Sequence, residues 1–154
     1  MCIAAGTTKS NCLKPPFYTI FSENKPVAPN TSSLRDDLIS LLTQISESKG
    51  HLMLAMTSQM LDFFNATETK PEDLREKIAI NGQEVLETIL LNAVKRGEIS
   101  NRSLPNRVKF LPFDLLRSEF AMTLQPVNSD QITELVDVVV MPLFHYYHVM
   151  RSEY

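Results

Sequence analysis

The chain has 154 residues, 44% of them hydrophobic and 21% charged, with only four glycines. That length and composition fit one globular domain with a core of its own and exclude collagen-like and disordered classes. Lys and Arg number 15 against 18 Asp and Glu, for a net charge of −3 and a pI near 5.6; with its basic residues scattered, the chain as a whole is not patterned to grip nucleic acid by its phosphates.

The opening "MCIAAGTTKSN" has no signal-peptide core, and the longest apolar run, "VDVVVMPLF", is far too short to span a membrane. Cys2 and Cys12 have no metal-ligand spacing; they suffice for one bridge, but nothing marks a secreted scaffold. A soluble protein of the reducing cytoplasm is expected.

Residues 1–30 read as an irregular arm, because Pro15, Pro16, Pro26 and Pro29 remove backbone donors and push their predecessors out of helical geometry. One short helical turn is expected around Tyr18 to Ser22. The pattern then changes, and residues 31–154 read as one helical domain. In "SSLRDDLISLLTQISESKG", Leu34, Leu38, Leu41, Leu42 and Ile45 follow helical spacing. Ser32 or Ser33 supplies the N-cap, Asp36 and Asp37 suit the positive end of the helix dipole, and Gly50 closes the run.

A second helix is expected in "HLMLAMTSQMLDFFNA", with Leu52, Met53, Met56, Met60, Phe63 and Phe64 as its stripe. The third runs from a Thr69 cap and Pro71 in the first turn through Leu74, Ile78, Val85, Leu86, Ile89, Leu90, Ala93 and Val94. Gly82 inside it costs about 1 kcal/mol relative to alanine, so a bend or a close packing contact is expected there. Lys95 and Arg96 fall in its last turn with Gly97 behind them, which reads as a helix stop rather than a nucleic-acid grip.

Two further helices complete the chain. One carries Phe110, Leu111, Phe113, Leu115, Leu116 and Phe120, with Pro112 near its start or at a kink. The last, capped by Asn128 or Ser129, carries Ile132, Leu135, Val136, Val139, Leu143 and Tyr147. The fold class is therefore all-α, with about five main helices.

In this order, "NTSSLRDDLISLL", "LLNAVKRGEIS", "LPFDLLRSEFAMT" and "QITELVDVVVMPLF" resemble the C-terminal regulatory domain of TetR-family transcriptional repressors. The resemblance covers roughly Asn30 to Tyr147. It implies a homodimer whose last two helices from each subunit form a four-helix bundle. The preceding helices would enclose an effector pocket, and effector binding would reset two helix-turn-helix domains on DNA. "IAAGTTKS" is either the remnant of such a helix-turn-helix or a chance string. It runs into a double proline that would break a recognition helix, so autonomous DNA binding is not expected unless the missing helices are supplied.

Met53, Met56, Met60, Phe63 and Phe64 suit either the lining of a pocket for a small apolar or aromatic effector or plain core. Thr88 is a candidate polar contact, although most polar groups on that helix are expected to be a solvated face. The interface residues expected are Leu115, Leu116, Phe120, Ile132, Leu135, Val136, Val139, Leu143 and Tyr147, because a C-terminal helix pair with large apolar faces and nothing left to cover them requires a partner. His145 and His148 share a helix face but lack further ligands, so no metal and no cofactor is expected. No phosphate loop, nucleophile elbow or HExxH motif marks an enzyme. The alternative to a ligand-sensing dimer is a truncated interaction protein that senses nothing.

Overall fold

The computed structural model describes residues 26–48, 71–100 and 104–150, with side chains from residue 83 onward in the middle segment. The expected arm turn, the Met–Phe helix at 51–66 and the helix stop at Gly50 lie outside the described residues.

Helix α1 spans 34–48. Ser33 caps it: the amide of Asp36 donates to Ser33 Oγ at 3.2 Å, and the amide of Asp37 donates to the Ser33 carbonyl at 3.0 Å. This occupies donors that the first helical turn leaves without partners. Helix α2, Pro71–Arg96, is continuous through Gly82. It stops where Gly97 turns to φ +78°, with the Gly97 amide on the Val94 carbonyl and the Glu98 amide on the Ala93 carbonyl, both at 3.0 Å. That is a Schellman ending, and the left-handed residue it needs is the glycine.

Helix α3, Asn106–Thr123, contains Pro112 in its interior rather than at its start. The proline removes the bond that the Val108 carbonyl would otherwise accept, and the helix continues past it. It ends at Leu124, a non-glycine residue at φ 54° whose amide donates to the Phe120 carbonyl at 2.8 Å.

The last rod has three parts: α4, Ser129–Leu135; a π turn, Val136–Val140; and α5, Met141–Met150. Asn128 and Gln131 form a reciprocal capping box, with Gln131 N donating to Asn128 Oδ1 at 2.9 Å and Asn128 N to Gln131 Oε1 at 3.2 Å. In the π turn the Met141 amide donates to the Val136 carbonyl, five residues back.

The core joins the four described rods. Leu34, Leu38, Leu41 and Leu42 of α1 meet Leu86, Ile89 and Ala93 of α2, Leu116 of α3, and Ile132, Val136, Val140 and Phe144 of the last rod. A buried hydrogen bond from Ser46 Oγ to the Val127 carbonyl, at 2.8 Å, ties α1 to the turn before α4. Among the described residues there is no strand, and no helix is long and apolar enough to cross a membrane.

Candidate functional site

The row Ile132, Val136, Val140, Phe144 is spaced by four and wholly buried. In a regular α-helix of 3.6 residues per turn such a row drifts around the axis and leaves the core. The π turn takes up an extra residue and keeps all four in line. This corrects the sequence reading of the last helix, which gave Ile132, Leu135, Val136, Val139, Leu143 and Tyr147 as one broad face on an α period. Beyond the π turn the core positions are one residue later, at Val140 and Phe144.

The consequence for the expected interface is specific. Leu116, Phe120, Ile132 and Val136 are buried within a single chain, so they are core residues and offer no surface to a partner. A carboxylate at Val136 would therefore attack the fold and not only an interface. Leu115, Leu143 and Tyr147 pack partly against that core. Leu135 is half-buried, and Val139 is exposed. Thr88 is exposed, and its hydroxyl donates back to the Glu84 carbonyl at 2.9 Å. Met53, Met56, Met60, Phe63 and Phe64 lie outside the described residues.

With the register settled, the outer side of the last rod is apolar as well. Val138 is 66% exposed, Tyr146 53% and Val149 50%, and Pro142 is exposed between them. Helical spacing puts these four on the side away from the core row, with Leu135, Val139, Leu143 and Tyr147 flanking it. An exposed apolar stripe on a helix whose opposite side is already core is built to be covered. Sequence reasoning passed over Val138, Tyr146 and Val149 because it took the side bearing Leu135, Val139, Leu143 and Tyr147 as part of the rod's single apolar face.

A second feature was only half legible. Arg96 ends α2, but its guanidinium also reaches across to α1: Nη2 donates to Asp37 Oδ2 at 2.8 Å, Nε to Glu98 Oε1, and Nη1 to Asn30 Oδ1 at 3.2 Å. Asp37 is fully buried; its other oxygen accepts the Thr31 amide at 2.6 Å. Glu98 Oε2 accepts the Leu34 amide at 2.7 Å and so caps α1 from 64 residues away. The hydrogen bonds to Glu98 and Asp37 hold the Arg96 guanidinium more firmly protonated than an ordinary arginine. Asp36, by contrast, faces solvent. The two adjacent aspartates thus point apart, and only one belongs to the clasp.

Arg35 and Asp137 make a two-pronged ion pair between α1 and the π turn, with Nε to Oδ1 at 2.6 Å and Nη2 to Oδ2 at 2.8 Å. The Arg35 hydrogen bond holds the Asp137 carboxyl below its ordinary value. On α5 the rings of His145 and His148 lie 6.1 Å apart, and His148 Nδ1 is buried without a hydrogen-bond partner. No group of His, Cys, Asp and Glu among the described residues is arranged to hold a metal ion.

The described residues thus form an all-α domain, internally clasped and carrying an open apolar face on its last rod. The sequence profile described as "Tetracyclin repressor-like, C-terminal domain" matches residues 28–139, and the chain belongs to that family of transcriptional regulators. It is 27% identical over 116 residues to proteins named as uncharacterized HTH-type transcriptional regulators of Mycobacterium bovis and of two strains of Mycobacterium tuberculosis; the match takes in 75% of this chain and 57% of each relative. The chain thus spans little more than half the length of the curated relatives it matches. No solved structure gives a significant match.

Proposed function

We propose that this chain is the effector-sensing, homodimerising portion of a transcriptional repressor. The observation that carries the dimer is the outer face of the last rod, where Val138, Tyr146 and Val149 stand in water on a helix whose opposite side is already core. A second copy of the same rod offers the same stripe, and a two-fold pairing covers both. Sensing rests on the family: the Met53–Phe64 segment is the proposed lining for a small apolar or aromatic compound. Binding would bias the dimer between two spacings by about 1–3 kcal/mol of coupling. Operator contacts would come from a helix-turn-helix region of the kind that the relatives' names record.

Light scattering over a range of concentrations tests the dimer. The expected mass is twice 17.5 kDa, and Tyr146→Glu with Val149→Glu is expected to give a folded monomer, since both residues are exposed in the single chain. A double variant that keeps the dimer mass would refute the face. A thermal-shift screen with apolar and aromatic compounds tests sensing: saturable stabilisation supports it, and none across the set favours an interaction protein without a ligand.

A further inference from the structure

The π turn places two complete apolar registers on one helix. In the observed register the core places beyond Val136 are filled by Val140 and Phe144, and His148 comes next with its Nδ1 buried and unpartnered. The residues one position earlier are Val139, Leu143 and Tyr147, all apolar or amphipathic; Leu143 and Tyr147 already pack against the core, and Val139 is exposed. If the turn closed as α-helix, everything after it would rotate by about one residue, roughly 100°. Each side chain would then take the place now held by its successor. Val139, Leu143 and Tyr147 would fill the core without stranding a buried histidine nitrogen.

The same rotation rewrites the outer face. The places now held by Pro142, Tyr146 and Val149 would pass to Met141, His145 and His148. An apolar stripe would become a histidine-bearing one. The hinge for this change is built in: the segment "VDVVV" is rich in β-branched residues of modest helix propensity. The Arg35–Asp137 fork secures the rod at the start of the turn, so rotation is confined to the helix beyond it.

We propose that Val136–Val140 is a two-register switch, whose π form displays the docking stripe and whose α form withdraws it. This rests on the dimer reading, and it makes that face a regulated one. It differs from a fixed π bulge in that the sequence supports either register with an apolar core.

The test reads the backbone hydrogen bond itself. Scalar coupling across hydrogen bonds in NMR reports whether the Met141 amide donates to the Val136 carbonyl, as here, or to the Asp137 carbonyl, as an α turn requires. Leu143→Phe with Phe144→Leu exchanges the two core candidates at constant composition, and Phe144→Ala removes the π-register anchor. Both variants are expected to move the coupling to Asp137 and to weaken self-association by about tenfold or more, as loss of a central aromatic contact does. A coupling that stays on Val136 in the exchanged variant overturns the switch, as does one that moves while self-association is unchanged. A wild-type chain that is monomeric at every concentration sinks the dimer reading by itself, and that is decided from its mass before any variant is made.

Discussion

Replacing Arg96 by methionine removes the guanidinium and keeps most of the side-chain volume. The Asp37 carboxylate it leaves behind is wholly buried and retains one partner, the Thr31 amide. Stripping one member from a buried ion pair typically costs 3–5 kcal/mol, because the remaining charge is uncompensated. The Arg96 side chain is 22% exposed, so water can approach the site and the lower part of that range applies, about 3 kcal/mol. Against a total stability of about 5–15 kcal/mol, this is a large fraction. Urea unfolding should show the midpoint falling with little change in slope. Adding Asp37→Leu should recover part of the loss by removing the stranded charge, but not all of it, since the Thr31 amide then loses its acceptor. An Arg96→Met chain within about 0.5 kcal/mol of wild type would mean that the clasp is surface chemistry, where ion pairs contribute at most about 1 kcal/mol, and the assignment of Asp37 to the core would fail.

Two helix ends make predictions of opposite sign. At Gly97, φ is +78° and an added Cβ would meet nothing within 4 Å, so Gly97→Ala is expected to lower stability by about 1–2 kcal/mol through backbone strain alone; an unchanged melting temperature would count against that ending. Leu124 holds a left-handed conformation without being glycine and is exposed, so Leu124→Gly is expected to raise stability by several tenths to about 1 kcal/mol, read from the same urea curves. For Asp137 the sign is that of a depressed carboxyl: the Arg35 contact stabilises the fold at pH above the ordinary carboxyl value, near 3.9, and its contribution fades as pH falls through the lower folded value. Carboxyl NMR should show the Asp137 midpoint below that value in the native chain and moving back up in Arg35→Gln; a midpoint indifferent to Arg35 would remove the fork as its cause.

The elements were legible because their signals are local. Leu34, Leu38, Leu41 and Leu42 mark the inner face of α1 by period alone, and Ser33, Gly97 and Asn128 mark their helix ends by chemistry that acts within a few residues. Four of the nine expected interface residues, by contrast, are core, and no periodicity in a single sequence separates a face that meets its own chain from one that meets another.

What the sequence determined by itself is the all-α class, the helix boundaries near their caps, and the residues apolar enough to be covered. The tertiary structure decided two things. One is register: a single π turn shifts the core from Val139 and Leu143 to Val140 and Phe144, and both sets are apolar, so only packing against α1 and α3 chooses between them. The other is the use of charge: Lys95 and Arg96 read as the end of one helix, yet Arg96 neutralises Asp37 of another, and Glu98, just past that end, caps the other helix's start. Those partners lie some 60 residues away in the chain, beyond the reach of any local pattern, and burial is what turns their attraction into structure.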